Sequence, residues 1–360
     1  MGRRQSAQAV RGAGERSVGS MLPTACCRLL CVFEFGGINL SSHRRETLSL
    51  MTAEHLLREI ALNNRSGAAE ILPRAVDLFE LLAARADDTL TISQARKSAI
   101  EACAGLVRAQ PRMAPLINLA NAVIRATESS ASAVEVLKAA AGAAFEFNQR
   151  CSRAAAAAAT NAAALIRQGA TVLTHSRSST ILRTLIDAHN AGTNFSIIAT
   201  ESRPLREGRT LAEALTMQGL GVTLIADAAA ASVLDVVTCV LVGADRVTPL
   251  TIENKIGTRL IALAASEQQV PMYAVADSSK FINPPDPLSL SEERRPPDEL
   301  WPNSPSGILV LNRYFEETPL HHFTGIITED GVLSPEDAGR YAETAVMDWS
   351  LWSVIRDGSA

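Results

Sequence analysis

From Thr171 onward the chain repeats one texture, a short β-branched run followed by a stretch long enough for a helix. The runs are Thr171–His175, Phe195–Glu201, Val222–Asp227, Cys239–Asp245, Met272–Asp277 and Gly325–Glu329. About 10–26 residues separate the first five, enough for a crossover helix between parallel strands. Their apolar interiors suit strands covered on both faces. The alternation predicts an α/β domain with a doubly wound, mostly parallel sheet. Each run ends on a polar residue: His175, Glu201, Asp227, Asp245, Asp277 and Glu329. In open parallel sheets, ligands sit beyond the carboxyl ends of the strands. The expectation is one crevice for an anionic ligand, lined by His175, Glu201, Asp227, Asp245 and Asp277. For any single acid, capping of the next helix is the competing explanation.

The segment before the strands reads differently. From Thr52 to Ile166 apolar residues recur at helical spacing, alanine is dense and strand formers are sparse. Four to six helices packed as a bundle are expected. The run Ala154–Ala159 reads as a closely packed helix face. Residues 1–50 are rich in Arg, Gly and Ser and read as a disordered extension, a transit peptide being the alternative. Met51-Thr52-Ala53-Glu54 opens the first helical pattern cleanly. The expected division is 1–50 extension, 51–165 helical domain and 166–350 α/β domain. Residues 283–304, with six prolines, read as a long surface loop.

Composition removes several function classes. Basic and acidic residues nearly balance, 34 against 38, which leaves no electrostatic case for binding nucleic acid or an anionic membrane. No apolar run reaches the roughly 18 residues of a membrane span. The six cysteines form no C-x-x-C pair, so neither a metal site nor a disulfide framework is expected, and a reducing cytoplasm suits them. Neither a Walker loop nor a G-x-G-x-x-G after a strand is present, so no cofactor is expected. Three cationic elements adjoin the strand ends: Thr174 to Ser179, Glu201-Ser202-Arg203-Pro204, and Asn254-Lys255-Ile256-Gly257-Thr258. The last reads as a helix start, whose N–H groups and dipole, with the lysine, form a cradle for an anion.

These elements, taken in order, carry a resemblance. Thr174-His175-x-x-Ser178, Thr200-Glu201-Ser202-Arg203-Pro204, Gly243-Ala244-Asp245-Arg246, Asn254 to Thr258 and Ile326 to Val332 resemble one superfamily. It holds the alpha, beta and delta subunits of translation initiation factor 2B. It also holds methylthioribose-1-phosphate isomerase and ribose-1,5-bisphosphate isomerase. The resemblance covers roughly residues 55–345. It implies an N-terminal helical domain, a Rossmann-like second domain, and a homodimer formed through the latter.

For the site, the resemblance implies roles residue by residue. Asp245 stands in the position of the isomerases' catalytic aspartate. Ser176 stands where they carry a catalytic cysteine, and an alkoxide forms far less readily than a thiolate. Cys239 cannot substitute, because at ~3.3 Å per residue it lies roughly 20 Å along the strand from Asp245. The segment Asn64-Arg65-Ser66-Gly67-Ala68 occupies the place of a phosphate-gripping turn, with Arg65, Ser66 and Gly67 as its contacts. His175, Ser178, Arg203, Asn254, Lys255 and Lys280 match the remaining substrate-binding positions. The stretch Asn312 to Leu320 reads as structural. Two functions remain open. One is an alpha-type initiation factor 2B subunit-like protein that binds a phosphorylated pentose or nucleotide with isomerase chemistry lost. It would meet related subunits in a eukaryotic or archaeal source. The alternative is an aldose–ketose isomerase acting on ribose 1,5-bisphosphate or methylthioribose 1-phosphate.

Overall fold

The computed structural model describes residues 51–64, 66–87, 89–284 and 295–357. The expected extension, the middle of the expected 283–304 loop and Arg65 lie outside the described residues.

Helix α1 (Ala53–Leu62) starts where its sequence pattern does, with the Thr52 hydroxyl accepting from the His55 N–H. Helices α2 (Ala68–Ala84), α3 (Ile92–Ala109) and α4 (Ala114–Thr127) follow, α3 opened by a capping box between Thr91 and Gln94. Helix α5 (Ala133–Ala163) runs 31 residues, roughly 46 Å at ~1.5 Å per residue. Its first half faces the helical core, where Ala140, Ala144 and Phe147 meet residues such as Leu78, Phe79 and Leu116. Its second half carries the alanine run and lies on the sheet, with Ala158 and Ala162 against Val172, Leu241 and Ile327.

The sheet elements are β1 (Thr171–His175), α6 (Ser179–Asn190), β2 (Ser196–Thr200), α7 (Glu207–Met217), β3 (Val222–Ile225) and β4 (Cys239–Gly243). Next come β5 (Arg246–Val247), β6 (Thr251–Lys255), α8 (Thr258–Glu267), β7 (Met272–Val275), β8 (Phe315–Pro319), β9 (Gly325–Thr328), β10 (Gly331–Leu333) and α9 (Pro335–Thr344). Seven strands form one sheet in the order β10-β9-β7-β4-β1-β2-β3, parallel throughout except for β10. This is the doubly wound fold expected from the sequence. Strand order reverses between β1 and β4, so the crevice of such a sheet falls at their carboxyl ends. Helix α10 (Trp349–Asp357) returns to the helical core through Leu351, Trp352 and Ile355. Among the described residues no helix is long and apolar enough to cross a membrane.

Three local expectations change. A second, antiparallel sheet, β5-β6-β8, was not legible, because its strands are short and carry charges such as Glu253, Lys255 and Glu316. Asn254 and Lys255 consequently end a strand, and the helix begins only at Thr258. Strand β3 is an edge strand and is only partly covered, unlike the strands beside it.

Glu253 on β6 is fully buried and is ion-paired to Arg112, from the α3–α4 turn, and to Arg246 at 2.7 Å. This pairing links the helical part to the small sheet. The close α5 contact is another link, and it depends on small side chains. Replacing Ala158, which has no exposed surface, by leucine should overpack it and destabilise the fold by about 1–3 kcal/mol. Urea unfolding reads this as a lowered midpoint at constant slope. An unchanged midpoint would mean that the contact is loose.

Candidate functional site

A cavity of about 120 Å³ opens at the carboxyl ends of β1 and β4. That is about ten times the roughly 10–15 Å³ one water needs, so it has room for a small ligand.

β1 delivers His175, whose ring is almost wholly buried. Its Nε2 lies 2.8 Å from the Ile256 carbonyl oxygen and its Nδ1 2.6 Å from the Thr200 hydroxyl. A carbonyl only accepts, so Nε2 carries the hydrogen and Nδ1 accepts from Thr200. Burial holds the imidazole below the usual histidine range, against the pull of the Ile256 hydrogen bond. The ring is therefore a neutral brace with both nitrogens occupied. It also explains Gly257, where a Cβ would lie 3.0 Å from the ring and φ is +106°.

The chain then turns sharply. Ser176 adopts φ +67° and its N–H donates to the Ser202 hydroxyl at 2.8 Å, while Ser202 itself adopts φ +64°. Two non-glycine residues in the left-handed region are uncommon and need outside support. The Ser202 hydroxyl supplies it to Ser176, and the Asp227 carboxylate, accepting from the Ser202 N–H at 2.7 Å, supplies it to Ser202. Ser178 caps α6, accepting from the Ile181 N–H. A Cβ on Gly243, at the end of β4, would come 2.8 Å from the Ser178 hydroxyl.

Asp245 follows β4, its N–H donating to the Glu253 carbonyl at 2.9 Å. Its carboxyl lies in the cavity wall and has no hydrogen-bond partner among the described residues. Burial raises it above the usual carboxylate range, and Lys280 and Lys255 oppose that only in part. Lys280 ends a short turn, Ser278–Lys280, held by Asp277, which accepts from the Ser279 N–H at 3.0 Å.

Two helix N-termini face the same space. α2 opens at Gly67 with no side-chain cap, and α6 opens at Ser178. Their N–H groups and dipoles favour an anion there. Arg177 reaches across to Glu70 of α2 at 2.7 Å, and the Ser66 hydroxyl donates to the same carboxylate at 2.5 Å. Lys255 is ion-paired with Glu207 and has its ammonium 5.0 Å from the ring centres of both Tyr314 and Phe315. The Asn254 amide donates to the Thr258 hydroxyl at 3.0 Å.

Of the residues expected at the site, Ser66, Gly67, His175, Ser176 and Ser178 line this cavity, as do Asp245, Asn254, Lys255 and Lys280. Arg65 lies outside the described residues. Arg203 is not in the lining, because its guanidinium donates to the Leu300 carbonyl at 2.9 Å. Two of the four acids expected in the crevice also serve elsewhere. Glu201 pairs with Arg209, and Asp227 accepts from the Ser202 and Arg203 N–H groups. The helix start after Ile256 is not an open anion cradle, since the Glu316 carboxylate already accepts from the Gly257 and Arg259 N–H groups. Glu207 and Cys151 line the cavity without any signal in the sequence. Burial pushes the Cys151 thiol up to about 11, so it is protonated near neutral pH. Among the described residues no three His, Cys, Asp or Glu side chains are grouped to hold a metal ion.

A sequence model of the Initiation factor 2 subunit family matches residues 64–335. A ribose 1,5-bisphosphate isomerase of Archaeoglobus fulgidus is 40% identical over 181 residues, 48% of this chain and 56% of that protein. The chain thus spans about half the length of that relative. A putative translation initiation factor eIF-2B subunit 2-like protein of Pyrococcus furiosus is 32% identical over 281 residues, 78% of this chain and 95% of the relative. The crystal structure of the Pyrococcus horikoshii translation initiation factor eIF-2B superposes with a TM-score of 0.69 at 30% identity, covering 79% of this chain and 97% of its own.

The state of Asp245 has a measurable consequence. A carboxyl raised by folding holds its proton more tightly folded than unfolded. Below its unfolded value, ~3.9, this costs nothing; above it the unfolded chain ionises first and stability falls until the folded value is passed. Asp245→Asn removes that loss. Its melting-temperature gain over the wild type should therefore grow between pH 4 and pH 7.5. A gain that is flat or shrinks with pH would show that the carboxyl is not raised.

Proposed function

The chain belongs to the initiation factor 2 subunit family, and from that premise we propose that its cavity isomerises a phosphorylated pentose, with Asp245 as the acid–base group. The observation that carries this is the Asp245 carboxyl, raised by burial, without a hydrogen-bond partner among the described residues, and sharing one cavity with two helix N-termini and Lys280. The 40% identity to a protein named as a ribose 1,5-bisphosphate isomerase supports the same reading.

The chemistry asks for such a group. Converting a ring-closed ribose 1-phosphate derivative to its ketose breaks the bond from C1 to the ring oxygen and moves the C2 hydrogen to C1. The C2 hydroxyl becomes the carbonyl. The ring oxygen gains a proton and O2 loses one, so one carboxyl can give the first and take the second. If the C2 hydrogen moves as hydride, no base at carbon is required. Ser176, which offers no thiolate, is compatible with that route. The phosphate would sit at the N-termini of α2 and α6, with Lys280 beside it.

A second reading is a binding protein without turnover, of the alpha-subunit type, and the hydroxyl of Ser176 in place of a thiol is what favours it. In both readings family membership is the ground for expecting a homodimer through the sheet-bearing part. An isomerase assay on ribose 1,5-bisphosphate and methylthioribose 1-phosphate separates the two. Turnover is expected on at least one, with Asp245→Asn losing about 10²–10⁴-fold in kcat. Thermal stabilisation by both sugars without turnover would leave the binding reading standing.

A further inference from the structure

Behind the candidate active cavity lies a second one, of about 460 Å³. It is bounded by α4, α5, α9 and the Ser278–Lys280 turn, and it shares Cys151 and Ser279 with the first. Three arginines line it: Arg125 from α4, and Arg150 and Arg153 from α5. None has a hydrogen-bond or ion-pair partner among the described residues, and Arg150 rests 5.6 Å over the Phe147 ring. Arg150 and Arg153, three apart on one helix, are neighbours on its surface, and like charges at that spacing repel. The acid in the lining, Glu329, already accepts from the Ser278 N–H at 2.9 Å.

Three positive charges against one negative leave an excess of about two. A phosphoryl group brings about −1.5 to −2 near neutral pH, and guanidinium forks match its oxygens two at a time. A carboxylate, with one charge, would satisfy only part of the cluster. Phe147, Phe281 and Tyr341 give the same cavity an aromatic side, with Phe281 and Tyr341 in edge contact at 4.8 Å. The wall between the cavities is braced by Asn118, whose amide donates to the Ser279 and Phe281 carbonyls.

We propose that this cavity is a second binding site, taking the phosphoryl groups of a small phosphorylated molecule on Arg125, Arg150 and Arg153. The site does not depend on the isomerase reading. Its test is calorimetric titration of the full chain with inorganic pyrophosphate. The chains compared are the wild type, Lys280→Met in the first cavity, and the double variant Arg150→Gln, Arg153→Gln in the second. Arg125→Gln is an independent single variant. All three arginines are exposed, so the variants should keep the wild-type circular dichroism. Binding should survive Lys280→Met, weaken at least tenfold in the double variant and weaken measurably in Arg125→Gln. Binding lost in Lys280→Met but intact in the double variant would assign it to the first cavity and overturn the proposal, as would no binding at all. A double variant that sediments as a smaller species with unchanged pyrophosphate affinity would also overturn it, marking the patch as a contact between copies of this chain.

Discussion

One helix belongs to two cores. The 31 residues of α5 run unbroken from the interior of the helical part onto the face of the seven-stranded sheet. Alanine buries little apolar area, so the second half cannot hold through hydrophobic transfer alone. What the small side chains permit is close approach of backbone to sheet, where many short contacts add up. Asn161 adds direction, its amide donating to the Thr328 and Glu329 carbonyls at 2.8 and 3.0 Å. Cys151 sits between the two halves, at the wall of both cavities. A shift of α5 against the sheet would therefore move the cavity wall.

The buried charges around Glu253 act in a different way. A fully buried carboxylate between Arg112 and Arg246 is not evidence of net stabilisation, because desolvating three ions offsets much of their attraction. Burial even raises the Glu253 carboxyl, with the two arginines pulling it back and Asp245 pushing the same way as burial. The arrangement is better understood as register. β5 and β6 pair Arg246 with Glu253, and the Glu253 carbonyl receives the Asp245 N–H. Slipping that ladder by one residue would turn Asp245 away from the cavity.

The parallel sheet was legible because its strands are covered on both faces, so burial writes continuous β-branched runs into residues 171–275. The helical part was legible through its period. The antiparallel sheet was not, since Arg246 pairs with Glu253, Lys255 with Glu207, and the Glu316 carboxylate with the Gly257 and Arg259 N–H groups, partners met only in three dimensions, so that in one dimension these charges look like solvated loop. The same blindness affected the site. Motif order brought nine expected residues to one cavity, but spacing could not tell a ligand contact from a brace. His175 has both nitrogens occupied, and Arg203 is turned to Leu300. Capping of the next helix, the competing explanation for each acid, does not describe Glu201 or Asp227. Asp227 begins the short 3-10 helix Asp227–Val233, but its carboxylate accepts from the Ser202 and Arg203 N–H groups and caps no helix, and Glu201 neutralises Arg209.

That turn around Ser202 is where local cost becomes geometry. Left-handed Ser176 and Ser202 each carry strain that glycine would avoid. Glycine, however, has no hydroxyl, and the Ser202 hydroxyl is the acceptor that holds the Ser176 N–H while it lies 3.3 Å from Thr200, the partner of His175. The chain Ile256, His175, Thr200, Ser202, Ser176 thus runs as one hydrogen-bonded line beneath the cavity floor. Its end point is the position of the Ser176 side chain. A neutral histidine suits such a line better than a charged one, since an imidazolium would offer two donors where Thr200 must then act only as acceptor. Burial, by keeping His175 neutral, preserves the direction of the whole line, and with it the placement of Ser176 in the wall that Asp245 shares.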